Sequence, residues 1–240
     1  MTVLSEESQD RRRASTGDRD SEVEAEIRAA ERIITFTDAV IAIAITLLAL
    51  ALPVPGTVGN LTNGQFLEAM RADWTDYLAF LISFVVIANQ WKTHRRVFRY
   101  VGRMTGWAGG LNTLWLLMMI LTPFATRMLA DKGALGVRFA VYALIQVIAT
   151  ACMMEINREA GRGRMLRPDA PESAHRPGSF PYLVVIIAFL VSIPVAFATE
   201  WAYALWAVVP LASRGLRLLG THGQHTTGDA DPGSSGNPLT

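Results

Sequence analysis

The apolar residues of this chain are gathered into long blocks that alternate with polar connections. The blocks lie at about 33–52, 74–92, 107–129, 136–156, 181–199 and 201–219. About 20 apolar residues in a helix cross the roughly 30 Å of hydrocarbon in a bilayer. Helices are expected because lipid offers backbone groups no hydrogen-bond partner. We therefore predict an all-α integral membrane protein with six transmembrane helices, although one long broken segment is the alternative for the last two blocks, which only Glu200 separates.

The composition agrees with this class and excludes several others. Of the 240 residues, 51% are hydrophobic, and Cys152 is the only cysteine, which excludes a disulfide framework and a cysteine metal cluster. The first apolar block follows a polar arm and lacks a small-residue cleavage site, so it is not a signal peptide. The sequence contains no Walker loop, no HExxH and no GxSxG motif. We predict no enzymatic activity, no cofactor and no metal site.

Basic residues predict the orientation in the membrane. They cluster in the N-terminal arm and in the second and fourth connections: Arg11, Arg12, Arg13, Arg19 and Arg28; Lys92, Arg95, Arg96, Arg99 and Arg103; Arg158, Arg162, Arg164, Arg167 and Arg176. Connections rich in Lys and Arg stay on the cytoplasmic side. We therefore expect a multi-pass protein of the cytoplasmic membrane with both termini inside. The formal net charge of +1 hides this asymmetry and gives no sign of a nucleic-acid or soluble protein partner.

Three regions follow from this pattern. Residues 1–31 form a cytoplasmic N-terminal arm, in which 21–32 have the Glu, Ala and Arg content of an exposed helix leading into the first span. Residues 32–219 form the six-helix membrane domain. Residues 220–240 are rich in Gly, Ser and Pro, and we predict a disordered cytoplasmic tail.

Asp38 lies about one turn inside the first predicted span. An ionisable side chain at the bilayer centre costs roughly 3 kcal/mol on insertion scales, so it marks a function or a specific buried partner. Four candidate partners are predicted at the same depth: Arg32, Trp91, His94 and Asn112. Two interpretations remain open, a hydrogen-bonded clamp that holds the first helix to its neighbours and a proton or ion site.

A stripe of side chains follows Asp38 along the same helix. Ile43, Thr46, Leu47 and Leu50 recur at i, i+3, i+4 and i+7, which places them on one helical face. Alanines lie between them, and small residues let helices approach closely in lipid. Spacing alone leaves ordinary helix packing and a pore as alternatives for this face.

A family resemblance rests on the first half of the chain. The run from Arg32 to Asp38, which includes Phe36 and Thr37 and is followed by AVIAIAITLLAL, resembles the RxxxFSD first-helix signature of the TMEM175 family of potassium channels. Thr37 replaces the usual serine but keeps its hydroxyl. Two further groups resemble the second and third helices of the family: Tyr77, Ser83, Phe84, Ile87, Trp91 and His94; Asn112, Leu116, Pro123, Phe124 and Thr126.

The resemblance implies a six-helix subunit with one signature copy. Prokaryotic members of this kind are homotetramers, whereas animal members carry two copies and dimerise. The first helix of each subunit lines a central pore, and the family lacks the TVGYG carbonyl filter. The piece Thr57-Val58-Gly59 fits this absence, because Asn60-Leu61 follows where a filter needs Tyr-Gly. The implied function is passive conduction of potassium.

Alignment on the Phe36-Thr37-Asp38 triplet implies roles for individual residues. The pore constriction falls on Ile43, and the other pore-lining positions are Thr46, Leu47 and Leu50. The signature residues form a structural network: Arg32, Phe36, Thr37, Asp38, Trp91, His94 and Asn112. Two alternative functions remain, a proton- or cation-coupled secondary transporter with Asp38 and His94 as a relay, and a non-conducting scaffold whose arginines recruit a partner or anionic lipid.

Overall fold

The computed structural model is entirely helical apart from short connections. It describes residues 2–55, 61–131, 135–167, 169–175 and 178–198, with side chains from residue 21 onward except at 135 and 173. The helices are α1 (Thr2–Leu50), α2 (Asn63–Ala72), α3 (Trp74–Phe98), α4 (Gly106–Ala130), α5 (Leu135–Gly161) and α6 (Phe180–Ala198). A short 3₁₀ turn, Glu172–His175, lies between α5 and α6.

Five of the six predicted spans correspond to these helices. By length and composition α1, α4, α5 and α6 can each cross a membrane, and α2 with α3 forms a further candidate, bent by 58°. Pro123 and Pro194 lie inside α4 and α6. The all-α, multi-pass membrane fold is therefore confirmed. The sixth predicted span at 201–219, the boundary at Glu200, the tail at 220–240 and the segment 56–60 lie outside the described residues.

Helix α1 is much longer than a membrane crossing. It has 49 residues, and the lead-in helix predicted at 21–32 is a continuous part of it. The Glu, Ala and Arg residues of the lead-in are strong helix formers, and the alanine- and leucine-rich span continues the same backbone. Helix α1 ends at Leu50, just before Pro53, which lacks the backbone N–H that another turn would need.

Helix α2 lies within the first connection, where no helix was predicted. Thr62 is its N-cap: the hydroxyl accepts the N–H of Gln65 at 3.4 Å, and the Gln65 side chain accepts the N–H of Thr62 at 3.0 Å. A threonine followed three residues later by glutamine is the sequence signature of such a capping box, so the sequence did contain a signal for the start of α2. None of the residues of α2 is buried, so α2 adds length to the connection without adding to the core.

The core lies among α3, α4, α5 and the inner face of α1. Helices α4 and α5 share the most extensive contact, α6 packs on α5, and α1 packs on α4 and α3. The largest fully buried side chains include Trp115, Met119, Phe139, Tyr142 and Met153. This arrangement leaves one side of α1 uncovered, and the candidate site lies along that helix.

Candidate functional site

Helix α1 has two distinct faces within the membrane region. Thr37, Ile41, Ala44 and Leu48 recur at spacings of four and three residues and are buried against the neighbouring helices. This periodicity puts them on one face of an α-helix. The buried face fixes the rotation of α1, so positions on its far side, such as Ala39, Ala42 and Ile43, are exposed.

Asp38 is anchored by α3. The indole Nε1–H of Trp91 donates to Asp38 Oδ1 at 2.8 Å, within the usual range for an N–H···O hydrogen bond. Trp91 was one of the predicted partners. The bond connects α1 and α3 through two residues that are 53 positions apart in the sequence. The carboxylate therefore has a specific donor, which reduces the cost of placing it within a membrane span.

Asn112 connects three helices through its amide group. Its Nδ2 donates to Thr37 Oγ1 of α1 at 3.3 Å, and its Oδ1 lies 3.1 Å from Nε2 of His94 in α3. Thr37 in turn donates its hydroxyl hydrogen to the carbonyl of Ile33 at 2.9 Å. The donor and acceptor ends of the Asn112 amide are thus both used, and the methyl group of Thr37 does not prevent its hydrogen bonds.

His94 is enclosed by aromatic rings. It stacks on Phe98 with ring centroids 4.1 Å apart and on Trp115 at 4.8 Å. Because the Asn112 amide nitrogen donates to Thr37, its oxygen accepts from His94, which assigns the ring hydrogen to Nε2. His94 Nδ1 is buried and has no hydrogen-bond partner among the described residues. His94 and Asp38 thus belong to separate hydrogen bonds rather than to one relay.

Arg32 and Phe36 lie outside this cluster. Arg32 is exposed, and within the described ranges no hydrogen bond or ion pair joins it to Asp38. Phe36 is 63% exposed. The reason is helical register: Arg32, Phe36, Ala39 and Ile43 follow one another at four, three and four residues, on the face opposite Thr37. Within one subunit the predicted network therefore comprises Thr37, Asp38, Trp91, His94 and Asn112, without Arg32 and Phe36.

The predicted pore-lining stripe is exposed along its length. Ile43 is 58% exposed, Leu47 49% and Leu50 83%, and Thr46 is exposed between them. The hydroxyl of Thr46 donates to the carbonyl of Ile43 at 2.8 Å. One subunit thus presents a continuous apolar face with one hydroxyl along a helix whose opposite face is buried.

A second buried polar cluster inside the bundle was not predicted. Gln90 Nε2 donates to Thr150 Oγ1 at 3.0 Å, and Gln146 Nε2 donates to Thr122 Oγ1 at 3.1 Å. Thr126 donates to Ser83 Oγ at 2.8 Å. These bonds connect α3, α4 and α5. The sequence signal for this cluster is the presence of Gln90 and Gln146 within apolar spans. A polar side chain in a membrane helix needs a partner on a neighbouring helix.

The match to a known family begins at Arg32, where the signature also begins. Residues 32–123 match the family model described as the endosomal/lysosomal potassium channel TMEM175. The chain is 33% identical over 187 residues to a potassium channel of Streptomyces collinus, covering 73% of this chain and 89% of the relative. It is also 37% identical over 106 residues to the endosomal/lysosomal proton channel TMEM175 of Gallus gallus, covering 42% of this chain and 21% of that protein.

A solved structure agrees with the sequence relatives. The crystal structure of a lysosomal potassium-selective channel TMEM175 homolog from Chamaesiphon minutus superposes with a TM-score of 0.63 at 27% identity. The alignment covers 78% of this chain and 98% of that one. The long match to the Streptomyces collinus channel, the family model and the structural likeness agree. This chain belongs to the TMEM175 family.

Proposed function

We propose that this protein is a potassium-permeable cation channel in which the α1 helices of four identical subunits surround a central pore. The potassium channel of Streptomyces collinus, which aligns along most of its length, supports the activity. The proposal for the pore rests on the exposed apolar stripe of α1, because this stripe lies on a helix whose other face is buried. Neither an enzymatic activity nor a cofactor is part of this proposal.

Four copies of the stripe would face one another around the axis. Ile43 is a bulky, branched side chain, and four of them close a path both by filling it and by expelling water from it. Ala39 and Ala42 beside it are exposed and small, which allows the helices to approach closely. Leu47 and Leu50 continue the apolar lining beyond this constriction.

Thr46 is the polar position nearest to the constriction. Its hydroxyl hydrogen is donated to the Ile43 carbonyl, so the lone pairs of the oxygen remain available. An oxygen in this state is a ligand for a partly dehydrated cation. Thr46 is therefore our candidate for a weak preference for K⁺ over Na⁺.

The cluster around Asp38 and Asn112 supports the pore indirectly. It attaches α1 to α3 and α4 on the face opposite Ile43. In this role Asp38 holds the pore helix and does not touch the ion. The positive-inside rule further supports a cytoplasmic-membrane protein with both termini in the cytoplasm.

Reconstitution in liposomes tests the channel directly. Currents are recorded in opposed K⁺ and Na⁺ gradients for the wild type, for Ile43→Ala and for the matched control Ile187→Ala, which removes an equally exposed isoleucine from α6. We expect passive currents with a reversal potential that favours K⁺. They should be enlarged by Ile43→Ala, because the substitution widens the constriction, and unchanged by Ile187→Ala.

The same measurement separates the alternatives. A folded tetramer that passes no current across pH and voltage would contradict the channel. Flux that needs a proton gradient and stops with Asp38→Asn in an intact tetramer would favour a coupled transporter. If Asp38 instead acts as a clamp that holds α1 to α3, we expect Asp38→Asn to lower the recovery of tetramers in detergent.

A further inference from the structure

A basic cleft lies at one end of the helix bundle, away from the pore stripe. Its volume is about 660 Å³, and it is formed by α1, α3 and the segment that follows α5. Five cationic side chains line it: Lys92, Arg95, Arg96, Arg99 and Arg167. Asp38 is the only acidic side chain among the described lining residues.

The positive charge of the cleft is largely uncompensated. Within the described part of the chain, Lys92, Arg96 and Arg99 form no ion pair or hydrogen bond. Asp38 already accepts the indole N–H of Trp91. The cleft therefore has several donors for an anion and a single, already bonded, carboxylate.

Arg167 is held in place by the backbone around it. Its N–H donates to the carbonyl of Tyr100 at 2.9 Å, and the N–H of Gly102 donates to the carbonyl of Met165 at 2.9 Å. A Cβ on Gly102 would lie 2.7 Å from Cγ of Arg167, so only glycine allows this close approach. The guanidinium pairs with Glu31 at 2.9 Å, yet its Nε is buried without a hydrogen-bond partner among the described residues.

The cleft is also amphipathic, which indicates the kind of anion that fits it. Ile34 and Phe98 contribute an apolar wall, and Asp38, which also lines the cleft, lies within the first candidate span. The arginines lie toward the end of α3. A soluble phosphate needs only the donors, whereas a phospholipid also presents acyl chains to the apolar wall. Arg and Lys between membrane helices recognise lipid headgroups through their phosphate oxygens.

We propose that this cleft binds the phosphate headgroup of an anionic phospholipid from the cytoplasmic leaflet. The choice of leaflet follows the orientation proposed above. The guanidinium of Arg95 lies 5.1 Å from the ring centroid of Trp91, the residue that holds Asp38. A bound headgroup therefore sits against the side chains that attach the pore helix, and its binding stabilises the folded channel by mass action.

Lipid binding to the purified full-length protein tests the proposal without measuring conduction. Phosphatidylglycerol and phosphatidylcholine with identical acyl chains are compared by native mass spectrometry and by the melting temperature in detergent. We expect adducts and a raised melting temperature with phosphatidylglycerol only. The double variant Arg96→Gln/Arg99→Gln should bind it about 25-fold more weakly, about fivefold for each charge removed.

Arg164→Gln is the matched control. Arg164 is an exposed arginine on the segment after α5 and does not line the cleft, so the control should bind phosphatidylglycerol as the wild type does. Equal binding by the wild type and the double variant, or equal binding of both lipids, would overturn the proposal. Displacement of phosphatidylglycerol by an equal concentration of glycerol 1-phosphate would assign the cleft to soluble phosphates and overturn it as well. This experiment does not measure ion flux, so its result can be interpreted even if the channel proposal proves wrong.

Discussion

The side-chain amide of Asn112 joins three helices at the candidate site. Its side chain joins α1 through Thr37 and α3 through His94, while its own backbone belongs to α4. Removing it leaves the buried ring nitrogen of His94 without its acceptor. An unsatisfied buried group costs more than the net value of the lost hydrogen bond.

We therefore expect Asn112→Leu, which keeps the branched side-chain shape but removes both polar atoms, to lower the free energy of unfolding by about 2 kcal/mol. Thr113→Ala is the matched control, because the exposed Thr113 hydroxyl only bonds the Gly109 carbonyl of its own helix. Thermal unfolding in detergent measures both. Equal melting temperatures for the two variants would contradict the role of Asn112 as a joint.

The hydrogen bond between Trp91 and Asp38 leads to a second prediction at the scale of single residues. Trp91→Phe keeps an aromatic ring but removes the N–H that donates to Asp38 at 2.8 Å. We expect a loss of about 2 kcal/mol in the free energy of unfolding, as for a hydrogen bond to a charged group. A double-mutant cycle with Asp38→Ala, which removes the acceptor of this bond, checks the cause. The two losses should be clearly less than additive, and strict additivity would show that the bond contributes nothing.

The sequence predicted part of this residue-scale picture. An aspartate within an apolar span requires a donor, and Trp91 was among the candidates because its predicted depth matched. Arg32 also had the right depth, and Phe36 belonged to the signature, but neither depth nor a signature specifies which way a side chain points around the helix. The buried bond between Gln90 and Thr150 was missed because a single sequence does not indicate which helices are neighbours.

At the scale of elements, Gly102 fixes the approach of the segment after α5 to the end of α3. The absence of a side chain at Gly102 makes room for Arg167. Gly102→Ala forces the Arg167 side chain to move, because the added Cβ would lie 2.7 Å from its Cγ. We expect a loss of about 1–3 kcal/mol in the free energy of unfolding, as for overpacking in a tight contact. The pair between Arg167 and Glu31, which ties this segment to α1, should weaken as well.

Gly110→Ala is the control for this prediction. Gly110 lies in α4, and a Cβ there meets nothing within 4 Å. Alanine in an open helical position should leave stability unchanged or raise it by about 0.5–1 kcal/mol. Melting temperatures of the two variants are compared in the same detergent. A Gly102→Ala protein as stable as Gly110→Ala would contradict the close approach.

The elements themselves were predicted to different degrees. Long apolar blocks located α1, α3, α4, α5 and α6, because hydropathy over about 20 residues is a strong signal. Helix α2 was missed because it buries nothing, so no apolar periodicity marks it. Its capping box at Thr62 and Gln65 is a local signal that hydropathy does not contain.

At the scale of the whole molecule, the exposed face of α1 is the surface that the proposed tetramer would bring together. Arg32, Phe36 and Ile43 share that face. In a tetramer with α1 at the centre, Arg32 and Phe36 would meet neighbouring subunits rather than partners of their own chain. The proposed tetramer would thus account for the signature residues that lie outside the cluster formed within one subunit.

Cross-linking distinguishes that assembly from a lipid-facing α1. In a Cys152→Ser background, which removes the buried native thiol, Ile43→Cys places one thiol per subunit at the proposed constriction. Disulfides need Cβ atoms about 3.5–4.5 Å apart, a distance that only a narrow central contact provides. We expect mild oxidation in membranes to give a dimer band on a non-reducing gel and reductant to remove it. Ile187→Cys, equally exposed on α6, should remain monomeric, because an apolar position facing lipid has no partner copy nearby. Monomer for Ile43→Cys, or equal cross-linking at both positions, would place the pore axis elsewhere.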